Sequence, residues 1–238
     1  MPETLEDLVM MQPPTADRPL LGTLILVVED SRHACEALRL ICQRSGARIR
    51  RAESLASVER HLRTYRPRIA VVDLGLPDGS GLDLIERLAR SGPHACGLIA
   101  TSGNETLANA ALAAGANYFL AKPIRSIEAF QKAALELVPE DQRPLSRMKP
   151  GIDTVEPDLL ALRDDLAFAA DLLLGSPDRQ TLHYLAGFLE GLAKTAEDHG
   201  LAEIGRRLVD FRDGVVDADG ARALAEEIAA SARRLVVV

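Results

Sequence analysis

Short apolar runs alternating with helix-length segments constrain this chain more than any other feature. Leu24-Ile25-Leu26-Val27-Val28, Ile69-Ala70-Val71-Val72, Gly97-Leu98-Ile99-Ala100 and Tyr118-Phe119-Leu120-Ala121 are continuous apolar stretches. A run without polar alternation is the pattern of a strand covered on both faces. Arg48-Ile49-Arg50 is more polar and fits an edge strand. The intervening segments, 31–45, 54–65, 82–91, 104–114 and 126–137, have the length and periodicity of helices. Ser54 and Ser126 are suited to N-caps. Ala110, Ala111, Ala113 and Ala114 favour a helix that Gly115 stops. Five strand–helix units in about 120 residues predict an α/β doubly wound parallel sheet. Ligands of such sheets sit outside the carboxyl ends of the strands.

The residues at those ends carry the chemistry. The first strand runs into Glu29 and Asp30, the third into Asp73, the fourth into Thr101 and Ser102, and the fifth into Lys122 and Pro123. Two like charges 4 Å apart repel by roughly 4 kcal/mol at an effective dielectric of 20. Three crowded carboxylates therefore call for a cation or take up protons. An oxygen-only donor set with few protein ligands suits Mg2+, which keeps waters and accepts a phosphate oxygen.

Four motifs stand in order at these strand ends: Val28-Glu29-Asp30, Asp73-Leu74-Gly75-Leu76-Pro77-Asp78-Gly79-Ser80-Gly81, Ala100-Thr101-Ser102-Gly103, and Gly115-Ala116-Asn117-Tyr118-Phe119-Leu120-Ala121-Lys122-Pro123. Over about residues 22–138 the sequence resembles the receiver domain of two-component response regulators, a flavodoxin-like fold. The resemblance implies that Asp73 is the phosphoacceptor. It implies that Glu29, Asp30 and Asp73, with the backbone carbonyl of Gly75, hold Mg2+. Thr101 and Lys122 then bind phosphoryl oxygens, and Thr101 and Phe119 form the switch pair. Phe119 also reads as a plain core aromatic. A cis Lys122-Pro123 bond is implied as well. Gly75 and Gly103 are small where this family often has larger polar residues that orient or block hydrolytic water. A signalling phosphoprotein rather than an enzyme acting on a separate substrate follows from this resemblance.

The remainder reads as a second module. Residues 1–150 carry 19 basic and 18 acidic residues, whereas 151–238 carry 9 and 17, so the overall charge of -7 resides in the second half. Prolines and charges crowd between residues 139 and 157, a composition that sustains neither helix nor central strand. The expected organisation is a loose tail over 1–20, a receiver over 21–138, a linker over 139–156 and a four-helix bundle over 157–238. Its stripes, at spacings of three and four, are Leu159/Leu162/Leu166/Ala169/Leu173, Leu182/Leu185/Leu189/Leu192/Ala196, Leu201/Ile204/Leu208/Phe211/Val215 and Ala221/Leu224/Ile228/Ser231/Leu235. Ser176 and Pro177 fit the start of the second helix. His199 beside Gly200 fits a helix C-terminus, and Val236-Val237-Val238 an apolar tail.

His183-Tyr184-Leu185-Ala186-Gly187 partly resembles the His-x-x-Lys-Gly pattern of histidine phosphotransfer bundles, with Ala186 where the lysine stands. His183 is thus either a solvent-facing histidine or a phosphoacceptor. Cys35, Leu38 and Cys42 share one buried helical stripe, and His33 reads as a solvated first-turn residue. Three sparse cysteines and the acidic, proline-bearing first residues fit a reducing cytoplasm and no secretion signal. No run approaches the roughly 18 apolar residues of a membrane span. The acidic second half, 3% aromatic content and absence of tryptophan disfavour DNA and aromatic stacking surfaces. The expected function is a Mg2+-dependent response regulator. Its upstream partner is a sensor histidine kinase or phosphotransfer protein, and its bundle acts through an unidentified protein partner or a homodimer. The alternative is a phosphorelay through His183.

Overall fold

The computed structural model describes residues 13–91, 96–145, 153–175, 177–210 and 218–235. Its first part contains β1 (Leu24–Val28), α1 (Arg32–Ser45), β2 (Arg48–Ala52), α2 (Leu55–Thr64), β3 (Ile69–Asp73), α3 (Gly81–Ala89), β4 (Gly97–Ser102), α4 (Ala108–Ala113), β5 (Tyr118–Ala121) and α5 (Ile127–Glu136). The strands are all parallel, in the order β2-β1-β3-β4-β5. This is the doubly wound parallel sheet read from the alternation, in the flavodoxin-like arrangement that the resemblance implied. A two-residue hairpin, Gly75–Leu76 with Gly79–Ser80, follows β3.

The two-residue period of the strands divides the core. Ile25, Val27, Ile69, Val71 and Ile99 pack with Leu38, Ile41 and Phe130 on one face. Leu26, Val28, Ala70, Val72, Leu98 and Ala100 pack with Val58, Leu84, Ile85 and Ala111 on the other. Covering both faces leaves no room for polar alternation in the central strands. β5 departs from this reading. Its run is apolar, yet it is the second edge strand, and Tyr118, Phe119 and Leu120 are half-buried while Ala121 is exposed.

Local signals place the helices. Ser54 accepts a hydrogen bond from Ser57 N–H and Ser126 from Ala129 N–H, as N-caps do. α4 ends at Gly115 with φ +111. Gly81 opens α3 directly beneath the end of β3, where a Cβ would lie 2.0 Å from the Asp73 carbonyl oxygen. No other residue type fits so close an approach.

Four further helices form an all-α region: α6 (Leu159–Leu174), α7 (Arg179–Ala196), α8 (His199–Asp210) and α9 (Ala218–Arg234). Their core joins Leu162, Leu166 and Leu173 to Leu185, Leu189, Ile204, Leu224 and Ile228. α6 also packs against α1.

Several expectations change. Leu20, assigned to the tail, is fully buried in the receiver core, and its N–H donates to the Ser45 carbonyl. The linker's end is likewise attached: Val155 is buried, and Thr154 bridges Ser126. Leu159 is 51% exposed, so the stripe of α6 begins at Leu162. α7 is capped by Asp178, whose carboxylate accepts from Thr181 N–H. Ser176 lies outside the described residues, as do Phe211, Val215 and the final three valines. His199 opens α8 rather than closing α7, which ends at Glu197 with φ 53. His33 is buried rather than solvated, with Nδ1 3.2 Å from the Asp158 carbonyl oxygen. Burial holds its imidazole below the ordinary histidine range, against the bond to Asp158.

Candidate functional site

The parallel sheet brings the strand ends together. Ligand oxygens of Glu29, Asp30 and Asp73 lie within 4.8 Å of one another. Lys122, delivered by the end of β5, places Nζ 2.9 Å from Asp73 Oδ2 and 2.8 Å from Glu29 Oε2. It donates a hydrogen bond to Glu29 Oε1 at 3.0 Å. The Lys122-Pro123 bond that follows is cis. Thr101 stands beside Asp73 in register on β4 and is fully buried, with Oγ1 unpartnered. Ser102 is buried next to it. Phe119 is half-buried on β5, packed on the core face shared by α2, α3 and α4. Gly75 is exposed in the hairpin just after Asp73.

Three carboxylates face one ammonium here, and the electrostatics reflect it. Burial raises Glu29 to about 8; the charges of Asp73 and Asp30 add to this and Lys122 opposes it. Burial and the charge of Asp73 raise Asp30 to about 6, against a lowering bond from Tyr184. Burial works against the charge of Lys122, but Asp73 and Glu29 outweigh it and hold the ammonium above the ordinary lysine range. Asp30 Oδ1 is buried without a partner, and Glu29 Oε2 takes no aligned hydrogen bond despite the nearby ammonium. Hard oxygen donors, excess negative charge and an orphaned carboxylate oxygen fit a divalent cation of the Mg2+ type.

The site has a wall that the strand-end motifs did not announce. A cavity of about 500 Å3 lies between the strand ends and α7, lined by Asp73, Ser102 and Lys122 on one side and by His183, Tyr184 and Gly187 on the other. His183 is exposed, Gly187 has open space beside it, and Ala186 is buried in the helical core. The Tyr184 hydroxyl donates to Asp30 Oδ2. Asp165 of α6, 3% exposed, accepts from Ser31 Oγ at 2.7 Å, Arg32 N–H at 2.9 Å and His33 N–H at 3.1 Å. Lys194 donates to the Gly103 carbonyl and Arg125 to the Thr195 carbonyl. Motif spacing missed both Tyr184 and Asp165. The available signal for Asp165 was a charge set between Leu162 and Leu166 on the apolar stripe of α6.

No helix among the described residues is long and apolar enough to cross a membrane. Residues 25–134 match the family described as the response regulator receiver domain. The chain is 33% identical over 115 residues to the KDP operon transcriptional regulatory protein KdpE of Escherichia coli K12, covering 48% of this chain and 51% of that protein. It is 35% identical over 101 residues to the transcriptional regulatory protein PhoP of the same organism, covering 42% and 45%. The chain thus spans about half the length of the curated relatives it matches. Among solved structures, a response regulator described as putative, from Chloroflexus aurantiacus, aligns with a TM-score of 0.45 at 24% identity, over 53% of this chain and 98% of its own. Residues 25–134 are a receiver domain of the two-component response regulators.

Proposed function

We propose that this chain is a phosphorylation-dependent switch in which Asp73 accepts a phosphoryl group and the helical region over 157–238 is the output. The receiver is taken to span 21–138, joined through 139–156. The observation that carries the reading is the placement of Lys122 between Asp73 and Glu29 at the carboxyl ends of β1 and β3.

Asp73 is the nucleophile. One of its carboxylate oxygens forms a bond to phosphorus while the bond from phosphorus to the donor's leaving atom breaks, the electron pair departing with the donor. Glu29, Asp30 and Asp73, with the Gly75 carbonyl, are the proposed holders of Mg2+. When bound, that ion would supply positive charge that offsets the repulsion between the carboxylate and an incoming phosphoryl group. Lys122 pairs with another phosphoryl oxygen as a point charge. Thr101, with its hydroxyl free, donates to a third. Movement of Thr101 toward the phosphoryl group opens space for Phe119 to turn inward, coupling a charge change to the β5 edge. The phosphodonor is a histidine kinase, a phosphotransfer protein or a small phosphorylated molecule. The output is a protein partner or a second copy of the chain, and the acidic charge of 151–238 opposes DNA.

The test is incubation with acetyl phosphate and Mg2+ followed by intact mass measurement. One added phosphoryl group, labile to hydroxylamine and lost in Asp73→Asn, is the expected result. A chain that stays unmodified, or one that carries acid-labile phosphate on His183, overturns the switch reading.

A further inference from the structure

Asp30 is held by a residue from outside the receiver. Its Oδ2 accepts the Tyr184 hydroxyl, and its Oδ1 is buried without a partner. Pinning one oxygen removes the carboxylate's rotational freedom and leaves the other oxygen as the open acceptor. Outer partners of this kind orient cation ligands and tune their affinity.

Tyr184 is itself well placed to hold still. Its ring packs on the helical core and lies 5.6 Å from the Phe188 ring, which meets Phe168 edge-on at 6.1 Å. The helical region is anchored to the receiver independently of Tyr184, through Asp165 at the start of α1, Lys194 on Gly103 and Thr195 under Arg125. The backbones also approach closely: a Cβ on Gly103 would sit 3.1 Å from Gly191 Cα. The docked arrangement does not fill the site. The cavity of about 500 Å3 leaves space for a hydrated ion and a small phosphodonor.

We propose that Tyr184 is a positioning residue of the cation site, so that docking of the helical region completes the Asp30 ligand. This rests on reading Glu29, Asp30 and Asp73 as cation ligands. Because coupling between two binding events is reciprocal, a cation that gains from the docked Tyr184 strengthens that docking by the same factor. The helical region is thereby informed of the site's occupancy by direct contact with a ligand residue.

The experiment titrates the full chain with Mn2+, followed by electron paramagnetic resonance of the free ion. Tyr184→Phe keeps the ring and its packing and removes only the hydroxyl. Its affinity is expected to fall about tenfold. Lys194→Met weakens docking without touching Asp30, and lowers affinity in the same direction. In the parent chain Mn2+ slows amide exchange in peptides covering 190–196, and in Tyr184→Phe that slowing is lost. Affinities of both variants within about twofold of the parent overturn the proposal while leaving the cation reading intact. A parent chain that binds no Mn2+ overturns both.

Discussion

Replacing Asp165 with alanine removes the carboxylate that joins α6 to the first turn of α1. Three donors lose their acceptor: Ser31 Oγ at 2.7 Å and the backbone N–H groups of Arg32 and His33 at 2.9 and 3.1 Å. Hydrogen bonds to a charged group are worth about 1.5–3 kcal/mol each, and a carboxylate at a helix N-terminus adds up to ~2 kcal/mol. The simple sum overstates the effect for two reasons. The two N–H groups belong to a helix start that water solvates once α6 withdraws. Burial also lifts the Asp165 carboxyl above its ordinary range, more than the bonds from His33, Ser31 and Arg32 lower it. The net loss is then about 2–4 kcal/mol, within the range for breaking a buried charged network.

The raised carboxyl sets the sign of the pH dependence. Above the unfolded-state value the folded chain still holds a proton that the unfolded chain has released. Stability contributed at this position therefore falls as pH rises through that window. Asp164 supplies the control: its ion pair with Arg32 is 2.7 Å long but both side chains are more than half exposed, so Asp164→Ala loses under ~1 kcal/mol. Urea unfolding followed by far-ultraviolet circular dichroism gives the stabilities. Amide exchange at Arg32 and His33 reports the local contact. An Asp165→Ala chain with unchanged protection at those amides and a loss below ~0.5 kcal/mol refutes the reasoning.

Three other outcomes follow. Gly81→Ala forces a Cβ to 2.0 Å from the Asp73 carbonyl oxygen; a loss of about 3 kcal/mol or more is expected in urea unfolding, with phosphoryl acceptance falling alongside. Asp73→Asn removes one of three carboxylates gathered within 4.8 Å, so the melting temperature without divalent cation rises, and a clear fall contradicts the repulsion argument. Burial pushes the Cys35 thiol up to about 11 and Cys42 up to about 12. Both therefore resist iodoacetamide at pH 8 in the folded chain. Between about pH 8.5 and 11 the unfolded thiols ionise first, so stability falls with rising pH by up to ~1.4 kcal/mol per unit for each thiol; pH-dependent urea midpoints check this.

The strands and their end residues were legible because each is a contiguous code. A buried parallel strand writes itself as four or five apolar residues, and parallel topology then forces the next residues to one rim. Glu29, Asp30, Asp73, Thr101 and Lys122 come together for that reason alone. β5 shows the limit: its composition is apolar, but position at the sheet edge is set by chain order, which composition does not record. Contacts between the two regions were opaque for another reason. Tyr184 meets Asp30 across 154 positions and Asp165 meets Ser31 across 134, and no local period spans such distances. His183 and Gly187 lie on the part of α7 that lines the cavity, yet the side chain that touches the receiver's acid pair is the neighbouring Tyr184.

Gly103 illustrates how docking changes the meaning of a residue. Read alone, its missing side chain concerned access of hydrolytic water to the phosphoryl group. In the structure the same absence lets Gly191 approach, since a Cβ at Gly103 would stand 3.1 Å from its Cα and 3.3 Å from its nitrogen. A larger residue there would press its Cβ against the Gly191 backbone, which cannot swing away as a side chain can. The requirement for a small residue at Gly103 is thus met by packing between the receiver and α7, before any appeal to the lifetime of a phosphoryl group. Asp165 behaves alike: its charge on an apolar stripe is unintelligible within α6 and caps the N-terminus of α1 once that helix is beside it. Residues that break the local pattern of one module are, in this chain, the ones that fit the other.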